Sequence, residues 1–178
     1  ERGKVKNIHY GDIHTRFNMS FDVTKEIVPY VNETIDLHRV TKEQYCQTGD
    51  VVIADASEDY NDVGKAIEVI NVAGEKVLAG LHTFLGRDAS EQTVVGFKGY
   101  LLRDSEVRKQ IQRIAQGISV IGISKKNLAK VTFKLPCKEE QQKIASFLTG
   151  IDEKITSVQK QLEQTQSFKK GLLQQLFV

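Results

Sequence analysis

The sequence is poor in residues that bind metals or form covalent cross-links, and it lacks long apolar runs. Its two cysteines, Cys46 and Cys137, stand in no CxxC or Cys/His spacing. This indicates two reduced thiols in a cytoplasmic protein, not a disulfide framework or a zinc site. No apolar run reaches the roughly 18 residues that a membrane span needs, and no signal peptide is visible. We therefore expect a cytoplasmic protein with no membrane partner.

An excess of charge of one sign is also missing. The formal net charge is only +2, so the whole chain generates no strong field that would attract a polyanion. Any basic surface must come from the spatial arrangement of residues. Apolar residues make up 40% of the chain and aromatic residues 7%, which is typical of a protein that folds around a core.

Motifs for catalysis and cofactor binding are missing as well. There is no GxGxxG, and the four histidines show no HxxxH or HxH pairing. Residues 63–66 look like the end of a phosphate-binding loop, but Asp59 stands where that loop needs a glycine. Ser57 and His82 cannot be assigned as nucleophile and base from sequence alone. We predict no catalytic residue, no metal and no cofactor, and interpret the chain as a binding module.

The densest group of carboxylates leaves two interpretations open. It comprises Asp50, Asp55, Glu58, Asp59 and Asp62, with Lys65 nearby. A metal or nuclease site would require their oxygen atoms to converge around one point. The alternative, which we prefer, is a solvated acidic loop.

The most regular part of the sequence is residues 136–178, where no proline follows Pro136. Apolar residues recur there in alternating steps of four and three, the pattern of a helix that packs against another helix. This apolar stripe consists of Ile144, Leu148, Ile151, Ile155, Val158, Leu162, Leu172 and Leu176, with Thr165 and Lys169 at polar positions. A lone helix cannot bury such a stripe, so the sequence predicts a partner helix. We expect Gln141 on another face, and close helix approach at Gly150 and Gly171.

Residues 1–135 predict a globular domain of mixed strands and helices. We predict strands at 5–10, 51–54, 65–72, 77–85 and 131–135, a turn at Gly11-Asp12, a helix over 96–116, an extended segment at 119–123 and a turn at 124–128. The predicted fold class is therefore α+β. A mixed α/β domain over 1–135 is followed by a long C-terminal helix over 136–178 that pairs as an antiparallel coiled coil.

Short motifs along the chain resemble those of one known family. In the domain they are residues 10–13 (Tyr-Gly-Asp-Ile), 49–58, 63–66, 79–83 (Ala-Gly-Leu-His-Thr) and 122–124 (Gly-Ile-Ser). In the helix they are residues 135–136, 139–148, 151–155 (Ile-Asp-Glu-Lys-Ile) and 169–177. The motifs keep the family's order and cover almost the whole chain. The sequence resembles the specificity subunits of type I restriction-modification systems.

The resemblance implies a role in DNA recognition without catalysis. A full specificity subunit carries two target-recognition domains and two spacer helices, and the helices pair antiparallel. Each domain reads one half of a split sequence in double-stranded DNA. Methyltransferase subunits dock on this scaffold, and a separate motor-nuclease subunit cuts unmodified DNA.

This chain shows one domain, one helix and no internal repeat, so we expect either a half-length subunit or a fragment of a longer one. We also expect that it begins inside the recognition domain. A homodimer with two-fold symmetry would then read an inverted repeat with a fixed gap. Two other interpretations stay open. One is a coiled-coil assembly or regulatory partner that does not read DNA, and the other is an enzyme that acts on DNA.

Candidate DNA contacts follow from the need for cations at phosphates and for donors and acceptors at base edges. For phosphates we predict Lys4, Lys6, Arg16, Lys125 and Lys126. For base edges we predict His9, Tyr10, His14, Arg16 and Ser124. The alternative for each of these residues is ordinary solvated surface. His82, between apolar neighbours, is predicted to be a hydrogen-bonded structural histidine.

Overall fold

The computed structural model describes residues 3–177, a mixed α/β domain from which one long helix extends. The strands are β1 (Lys6–Ile8), β2 (Ser20–Asp22), β3 (Val51–Ala54), β4 (Ala56–Ser57), β5 (Ala66–Asn71), β6 (Val77–Ala79), β7 (Thr83–Gly86) and β8 (Ile121–Gly122). The helices are α1 (Tyr10–Thr15), α2 (Lys98–Leu101), α3 (Ser105–Ile114), α4 (Lys125–Leu128) and α5 (Lys138–Leu176), with a 3-10 turn at Lys42–Gln44. The predicted fold class is confirmed. Glu1, Arg2 and Val178, the ends of the two predicted segments, lie outside the described residues.

A four-stranded sheet forms the centre of the domain, in the order β2-β5-β3-β7. β3 is antiparallel to both neighbours, and its Val52 pairs with Ile67 of β5 and Leu85 of β7. β2 runs parallel to β5. Two small sheets complete the domain: β1 pairs with β6 in parallel, and β4 pairs with β8 antiparallel.

Both faces of the central sheet are buried, which explains the unbroken apolar run of β3. Successive side chains of a strand point to opposite faces. Val52 and Ala54 therefore belong to one core cluster, which also contains the buried residue of α1. Val51 and Ile53 belong to a second cluster, which contains the buried residues of α3. The sheet is thus packed between elements on both sides.

A buried carboxylate fixes the start of α2. Glu68 in β5 is 0% exposed, and it accepts hydrogen bonds from the backbone N–H groups of Gly96 and Gly99, both at 2.9 Å. Lys98 Nζ lies 3.3 Å from the same carboxylate. These partners offset the cost of removing the charge from water. Glu68 therefore positions α2, whose Tyr100 contacts α5.

Two of the predicted turns are wrong, because side chains cap short helices there. Gly11 and Asp12 lie inside α1. His9 caps the first turn of this helix, because its Nδ1 accepts a hydrogen bond from the Gly11 N–H at 3.2 Å. The predicted strand at 5–10 accordingly shortens to β1. Residues 125–128 form α4, which Ser124 caps by accepting from the Asn127 N–H.

Two predicted elements each divide into two. The strand at 77–85 becomes β6 and β7, because the chain turns between them and His82 adopts a left-handed φ of 55°. The helix at 96–116 becomes α2 and α3. Asp104 starts α3 by accepting from the N–H groups of Glu106 and Val107. The strands at 51–54 and 65–72 are confirmed as β3 and β5, and β8 lies within the segment at 119–123.

The predicted strand at 131–135 is wrong, since none of the strands within residues 3–177 covers it. A side-chain amide takes the place of a neighbouring strand. Gln110 Nε2 donates to the Thr132 carbonyl at 2.8 Å, and Gln110 Oε1 accepts from the Thr132 N–H at 2.9 Å. The alternation of residue types in this segment therefore reflects its contact with α3 and not strand pairing.

The C-terminal helix α5 is continuous over 39 residues, which corresponds to a length of about 58 Å at roughly 1.5 Å per residue. Glu139 and Glu140 lie in its first turn, where the helix dipole favours negative charge. A side chain added at Gly150 or Gly171 would meet nothing within 4 Å in this chain, so close approach at these glycines stays a prediction about a partner. No helix within residues 3–177 is both long and apolar enough to cross a membrane.

Candidate nucleic-acid interface

Three of the predicted base-contact residues lie together at α1. The ring of Tyr10 lies 4.5 Å from that of His9 and 6.0 Å from that of His14, centroid to centroid. His82 joins them from the turn before β7, with its ring 5.4 Å from Tyr10 in an edge-on arrangement. The result is a patch of neighbouring aromatic and imidazole rings, residue types whose polar atoms can donate to, or accept from, base edges where they are exposed.

His82 confirms one prediction and adds a residue to the patch. Its Nδ1 lies 3.2 Å from Asp55 Oδ1, so the predicted hydrogen bond is present. The side chain is nevertheless 51% exposed, so His82 is also accessible from solvent. Sequence reasoning did not place His82 beside Tyr10, because only the turn between β6 and β7 brings them together.

His14 links the patch to β4, and through β4 to β8 near the end of the domain's sequence. Its Nε2 donates to the Ala56 carbonyl in β4 at 3.0 Å, and its Nδ1 has no hydrogen-bond partner among the described residues. Lys65 Nζ in turn donates to the His14 carbonyl. Because β4 pairs with β8, these bonds connect α1 to the segment that leads into α4.

The second group of candidates lies at α4. Ser124 Oγ is engaged as the helix cap, which makes Ser124 a positioning residue for the two lysines that follow. Lys125 Nζ lies 5.5 Å from the centroid of the Phe84 ring, a cation–π distance. Lys125 and Lys126 are both exposed. The structure thus presents two cations on a short, capped helix.

The predicted phosphate contacts of the N-terminal part differ in their availability. Lys4 is exposed. Lys6 is mostly covered and forms an ion pair with Glu75 at 2.8 Å. Arg16 pairs with Asp12 at 3.1 Å and donates to the Ile27 carbonyl. Lys6 and Arg16 would have to exchange these partners to contact DNA, whereas Lys4 has no ion-pair partner among residues 3–177.

The acidic residues do not converge. Asp50 is buried and paired with Arg87 at 2.6 Å, a hydrogen bond that raises the pKa of the guanidinium. Asp55 faces His82, and Asp62 pairs with Lys65. Among residues 3–177, no group of three or more His, Cys, Asp or Glu side chains has the geometry of a metal site. Asp50, Asp55 and Asp62 instead each have their own local partner.

The first part of α5, residues 138–152, rests on the domain, and we call it the docked segment. Gln141, which we predicted on a face other than the stripe, is 1% exposed. Its amide accepts from the Val94 N–H and donates to the carbonyls of Gln92 and Pro136. Ala145, one turn later, is also buried. A glutamine and a small residue at i and i+4 were the available signal for this contact.

The docked segment ends at a hydrogen bond to α2. The Tyr100 hydroxyl donates to Asp152 Oδ2 at 2.7 Å and lies 3.3 Å from Thr149 Oγ1. Burial raises the pKa of Tyr100 above its ordinary value, so the hydroxyl keeps the proton that it donates. The loop under Gln141 is held by Asp88, which accepts from the Thr93 hydroxyl and N–H. The hydroxyl bond is the main reason that the pKa of Asp88 falls to about 2.

The rest of α5, residues 153–176, extends beyond the domain, and we call it the projecting segment. The stripe divides between the two segments. Ile144 and Leu148 are half-buried against the domain. The later apolar members are between 38% and 72% exposed: Ile151, Ile155, Val158, Leu162, Leu172 and Leu176. An exposed row of apolar residues of this length is typical of a surface that binds a partner.

Comparisons with known proteins agree with this arrangement. A family model described as the type I restriction modification DNA specificity domain matches residues 24–166. A protein of Methanocaldococcus jannaschii, whose assigned name is that of the type I restriction enzyme MjaX specificity subunit, is 27% identical over 166 residues, or 93% of this chain. The chain spans 38% of that relative's length. Because the family model covers most of the domain and most of α5 together, the chain belongs to the family of type I restriction-modification DNA specificity domains.

Proposed function

We propose that this chain is a non-catalytic DNA-recognition subunit that reads one half of a split target in double-stranded DNA. It docks methyltransferase subunits, and motor-nuclease subunits join the assembled complex. The observation that carries the proposal is that one DNA specificity model matches residues 24–166, which include most of the domain, the docked segment and much of the projecting segment. The domain and its spacer helix thus form one functional unit.

The projecting segment supports pairing with a second copy. In water, an isolated helix of this length has marginal stability unless its apolar face is covered. Two copies that pair antiparallel through the stripe bury it and place one recognition domain at each end. The complex would then read an inverted repeat, and the length of α5 would set the gap between the two half-sites.

Within the domain, we assign base contacts to His9, Tyr10 and His82 of this patch. His14 positions α1, because its Nε2 donates to the Ala56 carbonyl and its Nδ1 is buried. Lys4, Lys125 and Lys126 are the exposed candidates for phosphates. Phosphate contacts contribute affinity without sequence preference, and base-edge contacts determine which sequence is preferred. A base-contact variant should therefore change the preferred bases. A phosphate-contact variant should weaken binding to all sequences by the same factor.

Selection of bound DNA from a random pool tests the proposal, with the purified chain and its methyltransferase subunits at several salt concentrations. We expect an enriched inverted repeat with a fixed gap and adenine methylation within it. Lys126→Ala should weaken binding to all sequences and reduce the slope of log affinity against log salt concentration by about 1. Tyr10→Ala should alter the enriched bases. A complex that assembles but enriches no split sequence at any salt would instead favour a coiled-coil partner that does not read DNA.

A further inference from the structure

An apolar groove lies at the joint between the domain and α5, and we call it the joint groove. Its volume is about 560 Å³. Ile144 and Leu148 line it from the helix, and Phe97, Tyr100 and Phe133 line it from the domain. Phe133 is 45% exposed. The groove is continuous with the stripe, because Ile144 and Leu148 are the first two stripe residues.

The spacing of the stripe selects one register for an antiparallel pair. Its steps of four and three read the same in both directions. One register therefore places every stripe position opposite another: Ile144 with Leu176, Leu148 with Leu172, Ile151 with Lys169, Ile155 with Thr165, and Val158 with Leu162. A shift by one heptad in either direction leaves two stripe positions at one end of each helix without a partner.

The rotation of the helix then determines what faces the joint groove. At 3.6 residues per turn, Ala145 and Asp152, which face the domain, lie roughly 80° from the direction of the nearby stripe positions. Leu173 and Phe177 lie roughly 80–120° from the direction of the stripe at Leu172 and Leu176, in the same rotational sense about the helix axis. A two-fold axis perpendicular to the helices preserves this sense. The end of one helix therefore turns Leu173 and Phe177 towards the domain of the other copy.

We infer that Leu173 and Phe177 of a second copy fill the joint groove. In the selected register they lie level with residues 147 and 143, between the helix wall and the domain wall. In the single chain, Leu173 is 50% exposed and Phe177 83% exposed. The inference rests on the antiparallel pairing that we propose above. In this arrangement, the C-terminal end of the partner's helix fixes the orientation of each recognition domain relative to the paired helices.

Disulfide trapping tests the register, in a Cys137→Ser background because Cys137 is an exposed thiol. Copies with Ile151→Cys are mixed with copies with Lys169→Cys, and mild oxidation should cross-link them. Efficient cross-linking of Ile151→Cys with Leu162→Cys would show a register shifted by one heptad and overturn the inference. Cross-linking of Ile151→Cys with itself would show parallel pairing and overturn it as well.

A fluorescent reporter tests the occupancy of the joint groove. The chain has no tryptophan, so Phe133→Trp introduces a single reporter on the domain wall. We expect its emission to shift to shorter wavelengths as the chain dimerises. Phe177→Ala should abolish that shift at concentrations where the chain is still dimeric. Unchanged emission on dimerisation would overturn the inference.

Sedimentation supplies the energetic test with a matched control. Phe177→Ala should raise the dimer Kd on the order of 100-fold, since two aromatic side chains per dimer lose their burial. Phe168→Ala removes an equally apolar and exposed side chain on the opposite flank of the stripe, and should change Kd by less than about 3-fold. Equal effects of the two variants would overturn the inference. A wild-type chain that stays monomeric would overturn the proposed pairing too, and half-site binding by the monomer would still test DNA reading separately.

Discussion

The docked and projecting segments are parts of one continuous helix with one repeating pattern, yet they differ in what covers them. In the docked segment, Gln141 and Ala145 are buried against the domain. In the projecting segment, every described residue except Gly171 is exposed, including the apolar ones. The difference shows that a heptad pattern indicates a partner surface without saying which surface. The domain covers the beginning of α5, and we propose that a second copy covers the remainder.

The largest expected effect is the loss of pairing through the projecting segment. Val158→Asp combined with Leu162→Asp places four carboxylates per dimer at the centre of the apolar interface, where charges are costly to desolvate. We expect a monomer at all concentrations accessible to analytical ultracentrifugation. The free energy of unfolding of the domain should change by less than about 0.5 kcal/mol, because neither side chain contacts it.

Lys160→Asp is the control for this double substitution, since it also adds negative charge but on the face opposite the stripe. It should leave the dimer intact. If Lys160→Asp dissociates the dimer as strongly as the double variant, general charge repulsion and not the stripe would explain the effect.

The next effect concerns the docked segment. Gln141→Ala removes the partner of the Val94 N–H and of two carbonyls. Because buried polar groups left unpaired are costly, we expect a loss of about 2–3 kcal/mol in the free energy of unfolding. Urea denaturation measures it. The neighbouring Gln142→Ala removes an exposed side chain from the same turn and should cost less than about 0.5 kcal/mol. Similar losses for both variants would show that Gln141 does not anchor the helix.

The smallest effect is a pH dependence of the loop beneath Gln141. The pKa of Asp88 is lowered to about 2, chiefly by the hydrogen bond from Thr93. A lowered pKa in the folded state means that the carboxylate stabilises the fold at pH values above its unfolded pKa, near 4. This contribution is lost as the pH falls through about 2.

Comparing the wild-type chain with Asp88→Asn isolates this contribution. Asparagine keeps the shape of the side chain but carries no charge. The difference in the free energy of unfolding, about 1 kcal/mol at pH 7, should therefore shrink between pH 4 and pH 2. A difference that stays constant over this range would show that the ionised carboxylate is not what holds the loop.

The features that could be predicted from the sequence are those that depend on local pattern. The stripe of α5 is a long repeat, and β3 is an unbroken apolar run, so both were identifiable without knowledge of the fold. The resemblance to the family rests on motifs in both the domain and α5, and the family match confirms it. His9, Tyr10 and His14 are neighbours in sequence, and α1 keeps them together.

Several of the missed contacts have a common physical cause, which is that they join residues distant in sequence. Thr132 bonds to the amide of Gln110 and not to a strand. Gln141 reaches the loop at Gln92 and Val94, about fifty positions earlier in the chain. His82 joins Tyr10 only through the turn between β6 and β7. No periodicity in a single sequence records such contacts.

The most direct test of the account is to lengthen the projecting segment and measure the DNA target. Duplicating residues 155–161 adds one heptad and keeps the stripe in phase. It moves the two domains about 10 Å further apart. In the selection experiment, the two half-sites should be unchanged and the gap between them should grow by about 3 base pairs, since duplex DNA rises 3.4 Å per pair. A gap that stays the same would contradict the conclusion that α5 sets the spacing between the recognition domains.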